Sequence, residues 1–344
     1  MTEQGKGGMW AGYRRRRLRA RLVGAVLLAL CAGLCTLMLL KGNTDYPLHT
    51  VLAVLQGQTI RGATYAIGTL RLPRMLTGLL AGLAFGMAGS TFQTMLRNPL
   101  ASPDIIGITS GSSAAAVFCI LVLGMGGAAV SAWALVAGLA VAALVYGLSG
   151  GGKFSGGRLI LIGIGVQAML GALVNYLLLK AAEYDVANAL RWLRGSLNGV
   201  DMAGVPPLLL AVLGCGAGIL LLTRQLNILE LGEDAATTLG LRTHRTRLLL
   251  ILLSVLLISF ATAATGPIAF VAFLAGPIAG RLTGGSAAPP LVAGLTGAVL
   301  VLGADLLGQF AFAARYPVGV VTGILGAPYL VFLLIRINRK GGAA

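Results

Sequence analysis

RLPRMLTGLLAGLAFGMAGSTFQTMLRNPLASPDIIGITSGSSAA, residues 71–115, contains both the element and the interruption that repeat along this chain. An apolar run over 74–96 stops at Arg97, and apolar sequence resumes at 105. At a helical rise of ~1.5 Å per residue, such a run covers the ~30 Å hydrocarbon core of a bilayer. The interruption carries an Arg, an Asn, two prolines and an Asp. Asn98-Pro99 and Ser102-Pro103 each force the preceding residue away from helix. Ser102 is placed to cap the next helix, Pro103 to start it, and Asp104 to favour its dipole. Arg97, Asn98, Pro99, Pro103 and Gly107 therefore mark a corner where the chain turns and re-enters.

The same alternation governs the whole chain. Of 344 residues, 57% are hydrophobic and 10% charged, with mean hydropathy +0.90. A soluble domain carries about 25% charged residues. The surrounding medium is therefore lipid, and the fold class is an all-α integral membrane protein. Fifty-one glycines suit membrane helices that approach closely. A net charge of +16 in a soluble protein points to nucleic acid. Here the basic residues fall between apolar runs, so the charge reads as topology and no nucleic-acid partner is expected. Cys31, Cys35, Cys119 and Cys215 lie inside apolar runs without metal-ligand or disulfide spacing, and read as packing residues.

Residues 1–21 form a basic N-terminal tail ending in RRRRLRAR, 14–21. The run 22–40 is long for a signal-peptide core and is followed by Lys41 with no small-x-small site, so it reads as a permanent span. Further spans fall at 74–96, 105–124, 127–149, 158–180, 205–223, 245–264, 266–281, 289–308 and 317–337. The domain thus occupies 22–340 with ten spans. Continuously apolar segments exclude the alternating strands of a barrel. With the N-terminus inside, inside segments hold 18 Lys and Arg and outside segments 8. That excess places both termini in the cytoplasm of a multi-pass protein of the cytoplasmic membrane.

Two polar features follow. The segment 226–247 is a long inter-span stretch on the cytoplasmic side. Leu231, Ala235, Ala236 and Leu239 recur at helical spacing, with Gly240 as C-cap. Glu230, Glu233 and Asp234 disfavour a helix resting on headgroups and favour a docking surface for another protein. Arg71 and Arg74 stand at the outer mouth of the second span, as snorkelling anchors or as a basic pair for an acidic partner.

No catalytic constellation and no metal site are visible. His49 and His244 lie in separate loops. Asp305 is an acid inside a late span and a functional candidate on that ground. GLSGGGKF, 147–154, approaches a phosphate-binding loop, but Phe154 stands where Ser or Thr must ligate magnesium and a membrane span precedes it. If ATP is used, another chain binds it. A secondary transporter needs midplane acids and paired broken helices, and a channel needs a filter; neither pattern stands out.

The stretch 71–115 closely resembles the signature of FecCD-type permeases, the membrane subunits of ABC importers for iron–siderophore complexes, haem and cobalamin. LGEDAATTLGL, GPIAFVAF and YPVGVVTGILGAPYLVFLL resemble further parts of that family in the same order. RLILIGIGVQAMLGALVNYLLL and RWLRGSLNG resemble its ferric enterobactin branch. The resemblance implies a type II importer architecture and a transporter subunit without enzymatic activity or cofactor, ATP being bound by a partner ATPase dimer. It implies a coupling helix at 231–240, comprising Leu231, Gly232, Glu233, Asp234, Ala235, Ala236, Leu239 and Gly240, supported by the 97–107 corner. It further implies an extracytoplasmic substrate-binding protein that docks on Arg71 and Arg74, and a second permease subunit forming a homo- or heterodimer. The implied cargo is a ferric siderophore of catecholate type, with cobalamin or haem as the alternative. Three departures stand out: Gly276-Pro277-Ile278 replaces Pro-His or Pro-Gln, Gln309 replaces an Arg, and Arg315 in Arg315-Tyr316-Pro317 replaces a Glu. The resemblance then implies Arg315 as a nearby substitute for the third docking arginine.

Overall fold

The computed structural model describes residues 3–149, 156–285 and 288–341. The Lys153 part of the phosphate-loop-like segment lies outside the described residues. Among the described residues, ten apolar helices fall where the spans are expected. Seven are long enough to cross a membrane: Arg14–Leu40, Tyr65–Met95, Ala128–Ser149, Gly157–Lys180, Met202–Leu221, Thr243–Thr265 and Pro290–Phe310. Three are shorter: Ile108–Leu121, Val271–Thr283 and Val318–Leu333. No strand occurs among the described residues.

Helices are numbered in chain order. They are α1 (Glu3–Leu40), α2 (Leu48–Leu55), α3 (Leu72–Met95), α4 (Ile108–Leu121), α5 (Gly127–Ser149), α6 (Gly156–Lys180), α7 (Glu183–Leu193), α8 (Val205–Leu221), α9 (Thr223–Leu229), α10 (Glu233–Thr238), α11 (Thr243–Thr265), α12 (Val271–Thr283), α13 (Pro290–Phe310) and α14 (Val318–Gly341). The basic run 14–21 continues helix α1. Helix α3 is the axis of the bundle, buried along most of its length against α13, α11, α12 and α8. Its glycines explain how close those neighbours come. A Cβ on Gly86 would lie 2.2 Å from the Ala293 carbonyl oxygen, and one on Gly89 would lie 1.8 Å from that of Ala272. Helices α4, α5, α6 and α7 form a second group, which α11 joins to the first.

Several boundaries differ from those read in the sequence. The second span begins at Tyr65, because a π-helical turn, Tyr65–Arg71, runs directly into α3 ahead of Pro73. The third span is preceded by a 3-10 turn, Pro103–Ile106, and Gly107 at φ +78° separates it from α4. Ser102 caps that turn by accepting the Asp104 N–H. The span expected at 266–281 starts at Val271, after an irregular loop in which Gly266 has φ +69° and Phe270 φ +65°. Pro277 inside α12 removes the N–H that would bond to the Phe273 carbonyl. Gln93 on α3 donates its amide to that carbonyl at 2.9 Å, and Gly276 leaves the space for it. The Gly276-Pro277 departure is thus matched by a partner on α3, as membrane helices require of freed backbone groups.

Candidate functional site

Two opposite faces carry the polar residues singled out in the sequence. The corner face holds residues 97–107 and 223–242. The arginine face holds the start of α3 and the loops at 41–47, 192–201, 266–270 and 311–317.

On the corner face, α3 ends in a Schellman motif: the N–H of Arg97 bonds to the Thr94 carbonyl and that of Asn98 to the Gln93 carbonyl. Arg97 occupies the left-handed position, φ +51°, where glycine is usual. Asn98 accepts the Leu100 N–H at 2.8 Å in an Asx turn. Gln167 of α6 donates to the Asp104 carbonyl at 2.8 Å. Burial pushes the Asp104 carboxyl up from its ordinary value, against hydrogen bonds from Thr109 and Ser102 that pull it down.

The segment 231–240 lies beside this corner. A Cβ on Gly232, φ +107°, would sit 3.1 Å from Arg97 Nη1, so the arginine lies over the glycine. The regular helix is shorter than expected, Glu233–Thr238. Gly240, φ +80°, ends it with a second Schellman motif: its N–H bonds to Thr237 O, and Leu241 N–H bonds to Ala236 O. The apolar positions do not share one face. Ala236 is buried, whereas Ala235 is exposed and Leu231 and Leu239 are each 62% exposed. Asp234 is exposed beside them. The chain thus presents two large apolar side chains to the outside within a polar segment.

On the arginine face, three arginines are held by three different sets of partners. Arg71 donates to the carbonyls of Leu39 at 2.8 Å and Leu40 at 3.0 Å, the last two residues of α1, and to Thr44 O at 2.6 Å. It therefore satisfies carbonyls that the end of α1 leaves open, and it stacks over Tyr46. Arg315 is exposed and donates to Asn43 of the 41–47 loop. Arg74 forms a two-pronged pair with Asp305 of α13, through Nε at 2.8 Å and Nη2 at 2.7 Å. Its Nη1 donates to Asn198, and Gln309 donates to Asp305 Oδ2 at 2.6 Å. Asp305 is 1% exposed. The intramembrane acid is the counter-ion of Arg74, and Gln309 completes its shell. Asn198 has no local sequence signal; its partner lies 124 residues away. A cavity of about 590 Å³ opens on this face, lined in part by Asn188, Arg191, Trp192, Asn198, Asp201 and Phe260.

No group of three or more His, Cys, Asp or Glu able to hold a metal occurs among the described residues. All four cysteines are free.

Residues 25–336 match the model of the FecCD transport family. The chain is 39% identical over 329 residues to the ferric enterobactin transport system permease protein FepG of Escherichia coli K12, covering 95% of this chain and 99% of that one. It is 38% identical over 330 residues to FepD of the same system and strain, covering 94% and 98%. A solved inward-facing structure of a putative metal-chelate type ABC transporter superposes with TM-score 0.81 at 27% identity, covering 92% of this chain and 99% of that one. On this family match and this near full-length identity, the chain belongs to the FecCD transport family.

Proposed function

We propose that this chain is the permease subunit of an ABC importer that carries a ferric siderophore of catecholate type across the cytoplasmic membrane. The observation that carries the reading is the near full-length likeness to permease proteins of a ferric enterobactin system. Both termini face the cytoplasm, as the excess of 18 over 8 basic residues supports. The corner face is then cytoplasmic and meets an ATPase dimer, on which ATP is bound and hydrolysed. This chain binds no nucleotide and no cofactor. A second permease subunit, identical or related, completes the pathway.

The segment Leu231–Gly240 is the contact with the ATPase. The exposure of Leu231 and Leu239, both apolar and unburied by their own chain, supports it. The 97–107 corner backs the segment through Arg97 and Gly232. On the other side, an extracytoplasmic binding protein docks on the arginine face. Arg71 and Arg315 border one loop there, and Arg74, held by Asp305 and Asn198, presents the 17% of its side chain that stays exposed. Charge at such a surface steers association more than it sets affinity.

Leu239→Asp and Leu231→Asp test the ATPase contact. A charge forced into an apolar contact costs more than the ~1.4 kcal/mol that equals tenfold in affinity. Uptake of ferric enterobactin should fall by roughly tenfold or more, while the protein remains inserted at the parental level. Undiminished uptake with either variant would mean that the segment does not meet the ATPase.

A further inference from the structure

We propose that the Glu233–Arg247 ion pair is the joint by which the segment 231–240 moves α11, and that α11 carries this movement to the Arg74–Asp305–Asn198 cluster. The proposal rests on the reading of that segment as the ATPase contact.

The segment is hung between two glycines in left-handed or extended positive-φ geometry, Gly232 and Gly240. Both ends are closed by backbone hydrogen bonds, and only Leu241 and Arg242 separate Gly240 from α11; side chains that grip the segment strengthen this short link. Two of those grips are visible besides the buried Ala236. Arg97 lies over Gly232, and it holds a left-handed backbone conformation that is unfavourable for a non-glycine residue. Arg247 Nη2 lies 3.5 Å from Glu233 Oε2, with the arginine side chain 10% exposed and the glutamate 49%.

Arg247 belongs to the second turn of α11. That helix opens with Arg242, His244, Arg245 and Arg247. Cations at the positive end of a helix dipole are unfavourable, and a carboxylate there is favourable. Glu233 is held to this basic opening of α11 through the guanidinium of Arg247. A displacement of the segment pulls on this helix first.

Helix α11 suits the task. Its 23 residues span about 34 Å, and it packs against α3, α8, α5 and α4, so it touches both helix groups. Its far end is bolted to the arginine face. The Thr265 carbonyl accepts the Ser196 N–H at 2.7 Å. A Cβ on Gly266 would lie 2.5 Å from the Trp192 carbonyl oxygen, so the end of α11 and the 192–198 loop shift together. Asn198, two residues on, accepts from Arg74, which holds Asp305 of α13. A continuous set of contacts thus joins the two faces along one packed helix, the kind of element that moves as a rigid body.

The test uses the full transporter in cells and two readouts. The first is uptake of radiolabelled ferric enterobactin. The second is the rate at which an impermeant maleimide labels V200C, in the 196–201 loop, in spheroplasts with and without ATP depletion; the four native cysteines are replaced by alanine. The parent's labelling rate should depend on ATP. R247Q and E233Q should each lower uptake by roughly tenfold and abolish the ATP dependence of labelling, at parental membrane levels. R247K and the exchange E233R/R247E should restore both readouts to within about threefold of the parent. A merely structural role would not move the ATP dependence in an inserted protein. An R247Q variant that keeps uptake or keeps ATP-dependent labelling overturns the joint. So does an exchange variant that inserts but is no better than the single ones. If L239D also spares uptake, the ATPase contact itself is wrong; if L239D abolishes uptake while R247Q does not, only the joint is.

Discussion

Asp305→Ala is expected to lower the thermal midpoint of the detergent-purified protein by roughly 10 °C, since removing one partner of a buried ion pair costs ~3–5 kcal/mol. Arg74 is only 17% exposed in its side chain, and without Asp305 its remaining named partner is Asn198. The cost comes from the stranded guanidinium more than from the lost attraction. That origin makes a second outcome specific: replacing both partners by apolar residues, as in R74M/D305L, should recover most of the loss. Asn at 305 should fall between, because it keeps one acceptor for Arg74. A midpoint for D305A within a degree or two of the parent would mean that the pair does not hold α3 to α13.

Gly86→Val and Gly89→Val are expected to be still more damaging. Each new side chain would meet a backbone carbonyl, that of Ala293 or Ala272, at a distance no atom tolerates. A side chain can swing aside, but here the helix axes must part, and α3 is the axis on which α12 and α13 pack. Overpacking costs ~1–3 kcal/mol where side chains can adjust, and more where backbones must separate. The yield of monodisperse protein should fall by roughly tenfold or more. Gly33→Ala on α1 is the control, since nothing lies within 4 Å of its Cβ position and alanine favours helix by ~1 kcal/mol. Parental yield for G86V would remove the close-packed axis from the account.

What the sequence discloses follows from how local each signal is. Apolar runs record burial in lipid, so the ten apolar helices of the described residues are legible, the three short ones among them. Their ends are not, because the π turn before Pro73 and the 3-10 turn at Pro103–Ile106 depend on where backbone hydrogen bonds find partners. Helix α7, Glu183–Leu193, is amphipathic and flanked by loop, and hydropathy alone passes over it. The corner at 97–107 and the Gly240 stop are readable because turn and cap chemistry sits within a few residues. Even there, the side to which Ala236 points depends on the bundle behind it.

The polar contacts across the bundle are of another kind. Arg74 and Asp305 are each conspicuous in the sequence, one at a span mouth and the other inside a span. They lie 231 residues apart, and no spacing rule joins them. The expense of an unpaired acid in a membrane is the hint that Asp305 has a partner; which cation it takes is decided only by packing α3 on α13. Arg71 likewise reads as a docking or anchoring residue, and only the fold brings it to the end of α1. The Glu233–Arg247 pair crosses a turn with no helical period, so its signal is limited to the basic opening of α11.

The most direct measurement is uptake of radiolabelled iron, supplied as ferric enterobactin, by cells with and without this gene, with a hydroxamate siderophore and cobalamin run in parallel. The expected result is loss of ferric catecholate uptake with the other two unchanged. Equal uptake of ferric enterobactin with and without the gene would contradict the account, and loss of cobalamin uptake alone would assign the same fold and coupling to a different cargo.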